Sequence, residues 1–452
     1  MKDTAVTEMI GLRPGVRSVV SDDGELFLVA WPYDGSLGRA SDRKQAAVAR
    51  LAAGPVSVDE LGSVVGDDGE LRELLERLLS GQWVYHTVLE GESPQYTVRP
   101  TGARRPRRTG TRPRAVTLSR FASLRREAHD MALSSPLSGS VVLVHEPELL
   151  AVMGILTRPS APGSRSVVER LLDDLWREGY LVDSAATEDS EFRLAQWSEH
   201  ELAFHAASRQ PYGLARQGGF GATEWAAGRF DPLPARREPF SGEAIALPAP
   251  DMERLVREDI SMTRALETRR SQREYDDEHP ITLRQLGEFL HRCAHVRSVD
   301  ATTGTSTRPS PSGGGLHELE IYPVTRLVSG LDNGIHHYDP FGHRLERVPA
   351  TPAAARLLLE HATLAMGKRT TPQVLLIITA RFGRTMAKYE SMAYALTLKN
   401  VGALQQTMYL VATAMGLAPC AVEAGAPDVF AAATGIDHVV ESPVGEFALG
   451  SC

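Results

Sequence analysis

Arg308-Pro309-Ser310-Pro311-Ser312-Gly313-Gly314-Gly315-Leu316-His317 is the stretch on which the reading of this chain turns. Successive glycines let backbone N–H groups approach a flat ligand closely. The same run would also serve as an ordinary flexible loop. Two clusters flank it along the chain. Upstream, Thr268-Arg269-Arg270-Ser271-Gln272-Arg273-Glu274-Tyr275 closes a helical stretch. Three arginines and a serine can surround one phosphate with charge-assisted hydrogen bonds of about 1.5–3 kcal/mol each. A basic helix C-terminus complementing the macrodipole is the other reading. Downstream, Arg384-Thr385-Met386-Ala387-Lys388-Tyr389-Glu390 separates a strand from a long helix. On a turn, Lys388 and Tyr389 can point into one cleft, and both are competent proton-transfer groups. The alternative is a surface lysine beside a packed tyrosine.

The block around these clusters, residues 251–452, mixes helices and strands without regular alternation, which predicts an α+β fold. Helices are expected over 255–268, 283–294, 351–366 and 394–415, and strands over 319–324, 335–338, 374–380 and 446–449. No G-x-G-x-x-G follows a strand and opens a helix, and no GxxxxGK[ST] occurs, which argues against a dinucleotide fold and a P-loop. There is no HExxH. His200 and His205 are five residues apart, on different faces of a helix, so no metal site is expected.

Further out, 452 residues exceed one compact domain; at ~150 residues each, two to four are expected. Apolar residues at 42% and charged residues at 23% are those of a globular chain. The net charge of −8 argues against non-specific nucleic-acid binding. Cys293, Cys420 and Cys452 form no CxxC pair, and reduced thiols in a cytoplasmic protein are the simpler account. No signal peptide or membrane span is expected.

Two linkers divide the chain. Residues 101–114 carry six arginines, and such a run is expected to be solvated and flexible. Residues 213–250 are rich in Gly, Pro and Ala, with no helix or long strand expected. The first block, 1–100, reads as a strand pair, three helices and a hairpin, a winged-helix-like pattern. Its third helix carries leucines at 71, 74, 75, 78 and 79 on one face. The block holds ten Lys and Arg against sixteen Asp and Glu, a net charge of −6 that disfavours DNA. An exposed strand edge that accepts an extended peptide suits it better. The second block, 115–212, reads as a weaker copy, with a strand at 141–144, a helix over 164–178 and the start of a wing at 179–183.

Taken in order, the three clusters resemble the FMN-dependent nitroreductase fold and, within it, the SagB-type dehydrogenases that oxidise azolines in ribosomal peptide natural products. The resemblance covers about 195–452. It rests on RRSQREY, RPSPSGGGLHELEIYPV, MAKYE, LKNVGALQQTMYLVATAMGLAPCAVEAG and ESPVGEFALGS, with QWSEHELAFHAASRQPYG upstream. Over 1–190 it is architectural: the first block resembles PqqD-like leader-peptide recognition elements. The resemblance implies FMN, with Arg269, Arg270, Ser271 and Arg273 at its phosphate and ribityl chain. It implies that Pro311, Ser312, Gly313, Gly314 and Gly315 lie against the isoalloxazine, across a homodimer interface, and that Glu423 and Gly425 run near the ring. Lys388 and Tyr389 match the catalytic pair, and Arg384 is a candidate for lowering the lysine pKa. The implied substrate is an azoline-containing precursor peptide, with a cyclodehydratase partner and dioxygen as electron acceptor. The alternatives are an NAD(P)H-dependent flavoenzyme acting on a small molecule, and a non-catalytic partner of a cyclodehydratase.

Overall fold

The computed structural model describes residues 6–452 except 31–32, 67, 103–104, 106, 160–164, 184, 210–220, 368–369 and 423. It divides into two units, residues 1–218 and 219–452.

The first unit opens with β1 (Val6–Leu12) and an antiparallel sheet of β2 (Arg17–Val20), β3 (Glu25–Ala30) and β4 (Tyr33–Arg39). Then come α1 (Asp42–Ala53), β5 (Val56–Ser57), α2 (Val58–Val65), α3 (Asp68–Ser80) and the hairpin β6 (Val84–Glu90) and β7 (Ser93–Pro100). The Ser57 side chain accepts from the Glu60 amide and caps α2. On the apolar stripe of α3, Leu74 and Leu78 are buried. The second half holds β8 (Thr117–Leu118), β9 (Ser123–Glu127), β10 (Asp130–Ser134), β11 (Ser140–Val144), α4 (Glu148–Ile155), α5 (Ser166–Arg177) and β12 (Leu181–Val182). The short helices α6 (Ala185–Ser190), α7 (Phe192–Ala195) and α8 (Glu199–Arg209) follow.

Strand pairing departs from the expected tandem of separate modules. One seven-stranded sheet, β5-β1-β6-β7-β11-β10-β9, runs through both blocks, with Val98 opposite Val142 at the junction. Tyr96, Thr97 and Val98 of β7 are all buried, as befits a central strand covered on both faces. The expected second wing is absent from this position: β12 pairs with β8 over two residues and leads towards α6. The arginine-rich linker is also docked rather than solvated. Arg107 pairs with Glu178 at 2.5 Å, Arg112 with Glu169 and Asp173, and the Arg108 guanidinium lies 4.5 Å over the Trp176 ring. The acidic face of α5 is what turns this basic run into a clasp.

Helix α5 is keyed to the sheet through Asp174. Its buried carboxylate accepts from the Tyr96 hydroxyl at 2.8 Å, His86 Nε2 at 3.2 Å and Arg170 Nε at 3.2 Å. Arg170 also reaches Glu8 of β1 at 2.8 Å. Burial alone would raise the Asp174 pKa, but His86, Arg170 and Tyr96 reverse that and hold it below the usual carboxylate range.

The second unit holds β13 (Ala244–Ala246), α9 (Met252–Glu258), α10 (Met262–Thr268), α11 (Leu283–Ala294), β14 (Ser298–Val299), β15 (Ser306–Thr307), β16 (Leu319–Thr325), β17 (Gly334–Asp339) and β18 (Arg344–Arg347). It continues with α12 (Pro352–Ala365), β19 (Val374–Arg381), α13 (Phe382–Met386), α14 (Ala393–Ala414), β20 (Leu417–Val422), α15 (Pro427–Thr434) and β21 (Glu441–Ser451). The sheet order is β13-β18-β17-β16-β19-β21-β20, antiparallel throughout. This is the mixed α+β architecture. All eight residues of β19 are buried. Leu376 and Ile378 share one core with Leu286 and Phe289 of α11 and Leu404 and Met408 of α14. Leu375 and Ile377 face the other way, into a core with Leu358 of α12 and Phe430 of α15. The helix expected over 255–268 is two, because Ser261 accepts from the Arg264 amide and starts α10 afresh. Among the described residues no helix is long and apolar enough to cross a membrane.

Asp174→Asn should cost the first unit about 3 kcal/mol near neutral pH, the order expected when one partner of a buried ionic cluster is removed. A carboxylate with a depressed folded pKa stabilises above its unfolded pKa, and that stability is lost as pH falls. The gap between wild type and variant in urea unfolding should therefore shrink below about pH 4, the unfolded value.

Candidate functional site

The Gly-rich stretch folds as a single tight turn at the foot of α14. Gly313–Gly315 form a 3₁₀ turn, with Gly314 at φ 64° and Gly315 at φ 67°. The turn is clamped by Ser312 together with Asn400 and Glu318, to which the sequence alone assigns no role. The Gly313 amide donates to Asn400 Oδ1 at 3.2 Å. Asn400 Nδ2 donates to Ser312 Oγ at 3.2 Å and to Glu318 Oε1 at 2.8 Å. Ser312 Oγ donates to Glu318 Oε2 at 3.1 Å and accepts from the His317 amide at 3.0 Å. Glu318 is fully buried.

Lys388 and Tyr389 come to this turn. A Cβ added to Gly314 would lie 2.6 Å from Tyr389 Oη and 3.3 Å from Lys388 Nζ. One added to Gly313 would lie 2.5 Å from the Leu396 side chain. Glycine is needed at 314 on two counts, left-handed backbone and close approach. Lys388 is exposed and Tyr389 half-buried, so both functional atoms are open to a ligand. Their turn hangs from α13, where the Thr385 carbonyl accepts from both amides, at 3.1 and 2.9 Å.

Arg384 plays a different part from the one expected of it. Its guanidinium is buried and donates to the carbonyls of Leu316, Leu233 and Gly304, each at 2.8 Å or less. Burial pushes its pKa down to about 10, with Arg381 and Arg308 adding to the effect. It is a structural post between loops.

The arginine–serine cluster lies further along α14. The Ser271 and Tyr409 hydroxyls are 2.8 Å apart, and the Arg269 guanidinium sits 4.9 Å over the Tyr409 ring. The Gln272 amide donates to the Pro419 carbonyl at 2.8 Å, which fixes the segment to β20. Arg270, Ser271 and Arg273 are exposed. Among the described residues no ion pair joins Arg269, Arg270 or Arg273 to a carboxylate. Three unneutralised guanidinium groups beside a hydroxyl suit a phosphate.

Within one chain, then, the structure makes two sets. From Asn400 at the Gly-rich turn to Tyr409 at the arginines is nine residues, or about 13–14 Å at the helical rise. A cleft of about 520 Å³ runs along another face of α14, lined by Tyr394, Leu398, Val401, Gly402 and Gln405 and, opposite, by Gly425 and Gly445. Those α14 residues fall within one stripe of the helix, and Tyr409 extends it. Gly425 lies against Glu446, where a Cβ would fall 1.9 Å from the carboxylate oxygen. Glu423 lies outside the described residues. Among those described, no group of three or more His, Cys, Asp or Glu is placed to hold a metal ion.

Comparison with known proteins places this unit. A Nitroreductase family model matches residues 266–451, and a Cyanobactin oxidase ThcOx model matches 116–212. A Methanocaldococcus jannaschii protein, MJ1384, given the provisional name of nitroreductase, is 32% identical over 183 residues, 40% of this chain and 86% of its own. The trifolitoxin-processing protein TfxB of Rhizobium leguminosarum bv. trifolii is 30% identical over 25% of this chain and 32% of its own. The microcin B17-processing protein McbC of Escherichia coli is 31% identical over 31% of this chain and 52% of its own. The chain thus spans most of the first relative but about a third and a half of the other two. With a family model matched over residues 266–451 and most of MJ1384 covered at 32% identity, the chain belongs to the nitroreductase family.

Proposed function

We propose that the chain is an FMN-dependent dehydrogenase that oxidises thiazoline or oxazoline rings in a ribosomally made peptide to thiazoles or oxazoles. The observation that carries this reading is the Lys388–Tyr389 pair held over Gly314, a base and a hydroxyl facing the turn best shaped for a flat ring. The names of the relatives support it: two are peptide-processing proteins, and the model matching residues 116–212 is that of a peptide oxidase. Arg269, Arg270, Ser271 and Arg273 would hold the phosphate end of FMN, and Pro311 to Gly315 would lie against its ring. Gly425, in the α14 cleft, supports a backbone contact near the flavin, with Glu423 beside it in sequence. The distance along α14 between the arginines and the glycines accords with a homodimer in which one subunit's glycines complete another's site.

An azoline is two electrons short of an aromatic ring. Its Cα–H is acidified by the adjacent C=N and carbonyl. When bound, FMN supplies the two-electron oxidant that takes a hydride from the neighbouring ring carbon. The amine of Lys388 would accept the Cα proton, and the electron pair of the broken Cα–H bond would form the new ring double bond as the hydride leaves the neighbouring carbon. Tyr389 orients the amine or shares its proton. Exposure of Lys388 gives the proton a way out to water.

The first unit suits a peptide dock. Strand β2 is an edge, all four of its residues are exposed, and α1–α3 pack beside its sheet in a winged-helix-like order. The net charge of −6 over residues 1–100 favours a peptide over a nucleic acid. A cyclodehydratase is the fitting partner, since it supplies the azoline.

Lys388→Ala should lower single-turnover flavin reduction by an azoline peptide about 10²–10⁴-fold while the flavin spectrum persists. Tyr389→Phe should cost less. Wild-type reduction in the lysine variant would end this assignment. Arg273→Ala should leave the purified protein short of flavin, measured as FMN per chain after gel filtration. Val19→Asp on the β2 edge should raise KM for a full precursor but leave a short azoline peptide unaffected; equal effects on both would remove the dock from this strand.

A further inference from the structure

Residues 221–230 belong to neither matched region, lying after 212 and before 266. They were expected to be linker. In the structure they grip the catalytic turn. Ala222 forms an antiparallel bridge with Tyr389. The Thr223 amide donates to the Lys388 carbonyl at 3.1 Å, and the Glu390 amide donates to the Gly221 carbonyl at 2.7 Å. The Trp225 indole N–H donates to the Met386 carbonyl at 2.7 Å, and Thr223 Oγ1 donates to Glu390 Oε2 at 3.3 Å. Gly221 sits at φ 71°, and a Cβ there would lie 2.5 Å from Met392 Sδ.

The turn needs such support. Besides these bonds, the Lys388 and Tyr389 amides both use the one Thr385 carbonyl of α13, and the Met392 amide donates to the Glu390 carbonyl at 2.7 Å. Past Tyr389 the backbone turns through Ser391 at φ 62°, a strained left-handed conformation for a non-glycine residue. Between α13 and α14 the six residues 387–392 belong to neither helix, and bonds to α13 alone would leave the lysine and tyrosine free to swing. The bonds from Gly221, Thr223 and Trp225 anchor Met386, Lys388 and Glu390, on both sides of the pair. The packing of Trp225 explains why it can serve here: its ring meets Phe230 edge-on at 5.7 Å, so the indole is held while its N–H points inward.

We propose that the Gly221–Trp225 segment is a positioning strap for Lys388 and Tyr389, with Trp225 acting through the Met386 carbonyl. The inference rests on the reading that this pair acts on the substrate. It adds a determinant of rate that the nitroreductase-matched region does not contain. The strap also sets an aromatic surface, Trp225 and Phe230, both largely exposed, beside exposed Met386.

The test uses the full-length, FMN-loaded protein with Trp225→Phe, which keeps a ring against Phe230 and removes one hydrogen bond. Gly221→Ala, which displaces Met392, is the second variant. Three quantities are read: amide hydrogen exchange over residues 386–392, kcat and KM for an azoline peptide, and the thermal midpoint. In Trp225→Phe, exchange across the turn should quicken about fivefold and kcat should fall by a similar factor, the worth of one neutral hydrogen bond. KM should stay within about twofold, and the midpoint should hardly move. Gly221→Ala should lose more kcat in the same direction. Unchanged exchange in both variants would overturn the proposal, as would faster exchange with unchanged kcat, or a lowered midpoint with unchanged kcat. Should the wild type leave azoline peptides untouched, the functional reading fails by itself. Exchange then decides the strap: fivefold faster upholds it and no change refutes it.

Discussion

The buried guanidinium of Arg384 ties together the loops around the Gly-rich turn and the Lys388–Tyr389 turn. Taking a cation out of water is costly unless its donors find partners. Here they find the carbonyls of Leu316, Leu233 and Gly304, so three loops that share no sequence neighbourhood are drawn to α13. One is the exit of the Gly-rich turn, and another continues the strap. A neutral side chain at 384 could not gather three carbonyl oxygens, each carrying partial negative charge, around one point. The other end of the Gly-rich turn is fixed by Glu318 and Asn400, so the turn is pinned on both sides of Gly314.

Behind these loops stands the sheet. Strand β19, buried on both faces, sorts its alternate residues between two cores and ends at Arg381, where α13 and the Lys388–Tyr389 turn follow. The rigid strand sets where Lys388 starts, and α14 sets how far Asn400, at the Gly-rich turn, lies from Tyr409, at the arginines. Loops carry the reacting groups while packed elements fix their spacing. The first unit uses the opposite economy. There an ionic cluster around Asp174 and an arginine clasp on α5 lock a helix of the second sequence block to strands of the first and to the linker between them.

The reach of sequence reasoning followed the range of the interaction. Local signals held well: the Ser57 cap, the leucine stripe of α3, the helix over 283–294 and the glycines at 313–315 arise from neighbours a few residues apart. The motif residues of the candidate site were likewise visible, because unusual composition marks them. The roles of Asn400, Glu318, Tyr409 and Trp225 were not, although the first three stand inside stretches that carry the resemblance. Each looks like an ordinary residue of a helix, strand or loop, and its role rests on a partner 82 to 161 residues away. The helical break at Ser261 was a local signal that an apolar count across 255–268 overrode.

By itself the sequence determined element types, the α+β class and which residues carry charge, hydroxyl or backbone freedom. Those depend on side-chain chemistry and on periodicities of two and 3.6 residues. Only the tertiary structure decided that two N-terminal blocks share one sheet, that an arginine run is a clasp, that Arg384 is a post, and that residues 221–225 embrace Lys388 and Tyr389. The reason is the same in each case. Strand partners and buried donors are chosen by where distant backbone groups must satisfy their hydrogen bonds, and composition records no address for them.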